Sequence, residues 1–170
     1  MPRQAIRILG IDPGLQTTGW GLVEADGSRL SFIACGTVCS DVADGLGLRL
    51  RMLHVGLAAV IADHRPDEAA IEETFVNRDP QSALKLGHAR AIGMVVPALA
   101  GIAVHEYAAN LVKKTVVGVG HADKKQVATM VRLLLPRSDA RSADAADALA
   151  VAICHAQHRA ARAMQARALA

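Results

Sequence analysis

Two apolar runs in this chain end in an acid. Ile6-Arg-Ile-Leu-Gly-Ile leads into Asp12, and Ala69-Ala-Ile leads into Glu72. A buried strand ordinarily ends in a turn residue, and Pro13-Gly14 supplies one directly after Asp12. Taken alone, Asp12 fits a turn-forming role in Asp-Pro-Gly as well as a functional one. Glu72 is harder to account for, because an acid after a buried apolar run needs solvent, a partner or a metal. Glu73 beside it points to the opposite side of a strand, toward solvent. A further pair, Asp144 and Asp147, shares one helical face at i, i+3 spacing, with Ser142 placed as N-cap. The helix dipole favours such acids by about 0.3–1 kcal/mol each, so that pair alone carries little weight. Four acids pooled at one spot are another matter: they repel one another unless a cation holds them. Oxygen ligands select Mg²⁺ or Mn²⁺. Two such ions roughly 4 Å apart would activate water and stabilise the leaving 3′ oxygen in phosphodiester hydrolysis.

The rest of the chain reads as one mixed α/β domain. After the first strand, Thr18 to Glu24 and Leu30 to Val38 form two more, with Asp26-Gly27 as the hairpin turn. Gly47 to His64 has helical apolar spacing and stops before Arg65-Pro66. Ala69 to Glu72 is a short strand. Asp79 caps a helix with Pro80 in its first turn, and the helix fades before Pro97. Ile102 to Tyr107 is a strand, Asn110 to Thr115 a short helix, and Val116 to His121 a loop with glycine. Asp123 to Leu135 and Ala143 onward are helical. The order is βββ-α-β-α-β-α-α, a central sheet covered by helices.

Hydrophobic residues make up 52% of the 170, yet only four are aromatic: Trp20, Phe32, Phe75 and Tyr107. The core is therefore built from Ala, Val, Leu and Ile. Cys35, Cys39 and Cys154 are odd in number and lack paired spacing, which argues against a disulfide framework and for a reducing cytoplasm. Cys35 and Cys39 read as small core residues. No Cys/His set has zinc spacing, so a structural zinc is not expected. Arg3 and Arg7 lead straight into a short strand rather than a signal peptide, and the longest uncharged stretch is too short to span a bilayer. Charge is uneven: Val76 to Arg137 holds nine Lys/Arg against three Asp/Glu, while the remainder holds ten against thirteen. A basic stretch beside an acidic cluster suits a polyanionic substrate.

Five blocks in order carry a resemblance over nearly the whole chain. They are Gly10-Ile-Asp-Pro-Gly14 with Thr18-Gly19; Ala70-Ile-Glu72 with Phe75; Ser82-Ala-Leu-Lys-Leu-Gly87; Val112-Lys-Lys-Thr-Val-Val-Gly118; and Ala143-Asp-Ala-Ala-Asp-Ala-Leu-Ala150. In these the sequence resembles the RuvC family of bacterial Holliday junction resolvases, the crossover junction endodeoxyribonucleases. The resemblance implies an RNase H-like fold, with a mixed five-stranded sheet flanked by helices. The nuclease domain is expected over residues 1–157, and by its composition 158–170 reads as a basic Ala/Arg-rich tail, a frayed helix end or disordered. The resemblance further implies a homodimer, Mg²⁺-dependent paired nicking of four-way DNA junctions, and handover from a RuvA–RuvB branch-migration complex. Asp12, Glu72, Asp144 and Asp147 match the family's metal-binding acids. Phe75 matches an aromatic near the junction centre, where stacking on an unpaired base is sequence-tolerant; core packing is its other role. Lys113 and Lys124 match positions tied to catalysis or phosphate contact. Ala83, Gly87, Ala91 and Gly93 lie on the helix that the resemblance places at the dimer two-fold, although close packing of helix on sheet would explain small residues equally well.

Three rival readings share these residues. Another RNase H-like nuclease would cut RNA–DNA hybrids. An actin-like ATPase or sugar kinase also carries a G-I-D-x-G loop but needs two lobes, for which 170 residues are too few. A non-catalytic junction scaffold would not need all four acids.

Overall fold

Alternation of apolar side chains along the central strands sets the layers of this molecule. The computed structural model describes residues 5–73 and 79–168. In chain order the elements are β1 (Ile6–Asp12), β2 (Thr17–Asp26), β3 (Arg29–Cys39), α1 (Leu46–His64), β4 (Glu68–Glu73), α2 (Pro80–Leu99), β5 (Ala103–Ala108), α3 (Ala109–Val117), α4 (Lys124–Leu134) and α5 (Ala143–Ala168). They build one five-stranded sheet in the order β3-β2-β1-β4-β5. The first three strands form an antiparallel meander, and β4 and β5 run parallel to β1.

Neighbouring residues of one strand face opposite layers. Ile8, Val23, Ala70 and Tyr107 pack against Val112 and Val116 of α3, Val127 and Val131 of α4, and the buried run Leu149 to Cys154 of α5. Leu9, Ile11, Leu22 and Ile71 face the other way, onto Leu57, Val60 and Ile61 of α1 and Val96 of α2. With a sheet covered on both sides, the central strands read as continuous apolar runs, which is how they stand in the sequence. The expected class, an α/β RNase H-like fold with a mixed five-stranded sheet, is the observed one.

The close seat of α5 depends on glycine. A Cβ on Gly10 would run into the Ala148 carbonyl, and one on Gly19 into the Asp144 carbonyl. Bare backbone on β1 and β2 therefore lets a helix rich in alanine lie almost against the sheet.

The capping residues act as their chemistry demands. Asp79 accepts from the Gln81 and Ser82 amides, and Asp123 forms a capping box with Gln126. Helix α1 ends at Arg65, which takes a left-handed φ of 47° just before Pro66. Three readings need correction. Helix α2 does not fade before Pro97 but runs through it to Leu99, because a proline this close to the end removes little of the hydrogen-bond ladder and its ring is buried. The short helix expected at Asn110 to Thr115 is α3, which extends to Val117 and ends at left-handed Gly118, so it belongs in the element order and the loop expected from Val116 begins later. Cys39 is exposed at the end of an edge strand instead of filling core; Cys35 is half-buried.

Candidate active site

Strands β1 and β4 are parallel, and Ile11 opposite Ile71 is their last paired position. Asp12 and Glu72 come next, so the two acids emerge side by side at the carboxyl edge of the sheet, where ligands collect in open α/β folds. Asp12 also lies across from Gly19 of β2, the residue against which the first turn of α5 rests at Asp144. Ser142 accepts the Ala145 amide at 3.1 Å and so starts α5 where the sequence places its cap. One turn on, Asp147 reaches the same edge.

Asp12, Glu72 and Asp147 line one cleft of about 160 Å³ together with Lys113 of α3 and Lys124 of α4. Its floor is apolar, with Val112, Val127 and Ala150. Asp144 does not line the cleft, yet its charge acts on both Asp12 and Lys124. Four of the expected acids thus gather in one neighbourhood, with three converging on a single space.

Burial and mutual repulsion show in their proton affinities. Burial, helped by Asp147, Glu72 and Asp144 and opposed by Lys124, pushes the Asp12 carboxyl up to about 7. Glu72 is raised by burial and by Asp147, against the pull of Lys113 and Lys124. Lys124 Nζ donates to Asp147 Oδ2 at 3.0 Å, and this bond and charge raise the Lys124 ammonium above its usual range. Because the Lys124 side chain is 72% exposed, that pair adds little to stability; its value is the placement of a cation at the rim. Carboxylates held together at such cost are suited to a hard divalent cation, which would relieve their repulsion and accept only oxygen donors. The donor set fits Mg²⁺ or Mn²⁺.

Phe75 lies outside the described residues. Arg90 of α2 was not legible in the sequence: its Nε donates to the Glu72 carbonyl at 3.4 Å while the guanidinium pairs with Glu106 of β5. It ties the end of β4 to its neighbours, and no spacing rule singles it out. A second polar group, Glu68, His105 and His155, lies on the same β4–β5–α5 contact but at its far end. Its members are dozens of residues apart, so sequence spacing hides them too.

Comparison with known proteins places this geometry. The family model for crossover junction endodeoxyribonuclease RuvC matches residues 8–155. A protein of that name from Methylocella silvestris is 68% identical over 164 residues, covering 96% of this chain and 93% of that one. Another, from Beijerinckia indica, is 68% identical over 154 residues, covering 91% and 88%. Among solved structures, RuvC of T. thermophilus in complex with Holliday junction substrate superposes with a TM-score of 0.85 at 33% identity, covering 92% of this chain and 96% of that one. A yeast mitochondrial Holliday junction resolvase has a TM-score of 0.63 at 11% identity and shares the fold. The matched span begins in β1, before Asp12, and ends in α5, beyond Asp147, so it takes in every element that builds the cleft. This chain belongs to the RuvC family of crossover junction endodeoxyribonucleases.

Proposed function

We propose that this protein resolves four-way DNA junctions by symmetric paired nicking, as a divalent-metal-dependent endonuclease of recombination and repair. The observation that carries the reading is the convergence of Asp12, Glu72 and Asp147 with Lys113 and Lys124 in one cleft. Family membership and the junction-bound T. thermophilus relative support the substrate.

Asp12, Glu72 and Asp147, with Asp144 beside them, are the groups that would hold two Mg²⁺ ions, Mn²⁺ being a substitute. When bound, the cations supply positive charge to the reacting phosphate and make water a stronger nucleophile. The protein's own part is to position. Glu72 is fixed by the β4 ladder and by Arg90, and Asp147 by the α5 backbone and its bond to Lys124. Lys113 and Lys124 line the same cleft, where ammonium groups would meet backbone phosphates. Phe75 follows Glu72 by three residues and is proposed to stack on a base at the junction centre.

A homodimer suits paired nicking, since two symmetry-related strands must be cut. The outward stripe of α2 supports it: Leu84, Val95 and Leu99 are 65%, 47% and 74% exposed. Gly87 has open space around it, whereas Gly93 packs on Ile71 and Ile11 of its own sheet. Gly93 thus serves packing within the subunit, and Gly87 leaves space for a second copy to approach. Residues 1–157 act as the nuclease domain and 158–170 as a basic tail. The reading includes a cytoplasmic protein that receives junctions from a RuvA–RuvB complex; among the described residues no helix is long and apolar enough to cross a membrane.

The test is cleavage of a synthetic four-way junction with Mg²⁺, beside a linear duplex and an RNA–DNA hybrid. Paired nicks in the junction alone are expected, with Asp12→Asn binding the junction but cutting about a hundred- to a thousandfold more slowly, the scale of losing a group that stabilises transition-state charge. Cutting of the hybrid instead would transfer the function to a ribonuclease.

A further inference from the structure

The row of β4 side chains that faces α5 reads Glu68, Ala70, Glu72, with an acid at each end. Four residues of strand separate the two acids by about 13 Å. On α5, Asp147 and His155 are eight residues apart, about 12 Å along the helix. The same pair of elements therefore carries a polar cluster at either end: Glu72 with Asp147 in the cleft, and Glu68 with His155 far from it. His155 is fully buried, and His105 of β5 stacks on its ring with centroids 4.5 Å apart.

We propose that Glu68, His105 and His155 form a second metal site, for Zn²⁺ or a similar transition ion, that ties β4, β5 and α5 together away from the nuclease centre. One ligand atom from each residue lies within 4.8 Å of the others. Tetrahedral zinc, with bonds of about 2.0–2.1 Å, needs ligand atoms about 3.3 Å apart, a spacing that small side-chain rotations reach from here. Two imidazoles and one carboxylate suit zinc rather than Mg²⁺, and the partial exposure of Glu68 and His105 leaves room for water as fourth ligand.

The groups around these three are those that hold metal ligands in place. Glu68 Oε2 meets His155 Nε2 at 2.7 Å, and its other oxygen accepts from Arg159 Nε at 2.8 Å. On the far side of the imidazole, His155 Nδ1 meets the Tyr107 hydroxyl at 2.8 Å. A hydroxyl can donate or accept. Without metal it donates to Nδ1 while Nε2–H donates to Glu68. With metal on Nε2, the ring proton sits on Nδ1 and donates to the Tyr107 oxygen. Zinc then takes the place of the proton between His155 and Glu68, and the neutral ring carries that proton on Nδ1 instead, so no net proton is released by this tautomer change.

The experiment titrates Zn²⁺ into the metal-stripped full-length chain with excess Mg²⁺ present, read by calorimetry, and repeats it with Co²⁺ read by visible absorption. The expected result is one tight equivalent that survives in Asp12→Asn/Asp147→Asn, with the intense visible bands of four-coordinate Co²⁺. His105→Asn and Glu68→Gln should each weaken binding at least about tenfold, and Tyr107→Phe by about 10–100-fold. Bound zinc should also raise the melting temperature of the parent but not of His105→Asn. His105 and Glu68 are only partly buried, so these variants keep the test sound where a change at His155 would disturb folding. No zinc binding by the parent at micromolar concentration overturns the proposal. So does unchanged binding in both His105→Asn and Glu68→Gln, or binding lost only in the double aspartate variant, which would put the ion in the nuclease cleft.

Discussion

Asp12 shows how a residue can be costly to the fold and useful to the reaction. Its carboxyl is raised from an ordinary value near 4 to about 7 by burial and by neighbouring acids. A folded-state pKa above the unfolded one means that the native protein holds the proton more tightly. The stabilising contribution is complete below the unfolded value and is lost as pH rises through about 7. Glu72, shifted the same way, adds to the trend. Metal-free protein should therefore lose stability between about pH 4 and 7 from these groups. Asp12→Asn removes the charge and keeps the shape. In chelator it should melt with the parent at about pH 3 but be more stable at about pH 8, by about 1–2 kcal/mol once exposure and relaxation are discounted. Added Mg²⁺ should favour the parent and close the gap. Equal melting temperatures at both pH values would mean that the acids are not in conflict without metal.

At the scale of elements, the site is a consequence of how closely α5 approaches the sheet. Gly19 lies beside Asp12 across the β1–β2 ladder, and the Asp144 carbonyl occupies the space a side chain would need. Gly19→Val should push the first turn of α5 outward. The expected cost is about 1–3 kcal/mol from overpacking, with cleavage falling by more than the loss of folded protein explains because Asp144 and Asp147 move with the helix. Melting temperature and cleavage rate measured on the same preparation separate the two effects; a rate that falls only with the folded fraction would show that α5 is not what registers the acids. Gly19 was visible in the sequence as part of a motif, but its reason was not, since a close approach is made by a partner more than a hundred residues away. The strand-end acids and the caps at Asp79 and Ser142 were legible because local chemistry decides them. Pro97 was misread because a proline rule that holds for a helix interior weakens in the last turn. Arg90 and the Glu68–His105–His155 group escaped because tertiary packing alone brings their parts together.

For the whole molecule, the decisive question is how one cleft becomes two cuts. A single copy carries one set of acids, and paired nicking of a junction calls for two sets related by a two-fold axis. Helix α2 has the means to provide that axis. Its inner side packs through Gly93 and Val96 on the sheet, while Leu84, Val95 and Leu99 project outward at intervals that keep them on one stripe. Beside it, Leu48, Met52 and Val55 of α1 repeat the pattern with 43%, 45% and 54% exposure. In the proposed dimer this stripe on two adjacent helices would meet its own copy across the two-fold, the arrangement of an isologous interface. Both helices lie on the face of the sheet opposite α5, so a second copy seated there leaves the cleft open to DNA. Leu84→Glu with Val95→Glu would bring four carboxylates to the two-fold of a dimer and leave the sheet-facing side untouched. Sedimentation should then show monomers, with self-association weakened at least about a hundredfold, since burying unpaired charge at an interface costs several kcal/mol. The monomer should melt close to the parent and still bind Mg²⁺, but junction cleavage should fall to sporadic single nicks or vanish. A double variant that sediments with the parent and still nicks in pairs would move the two-fold to another face.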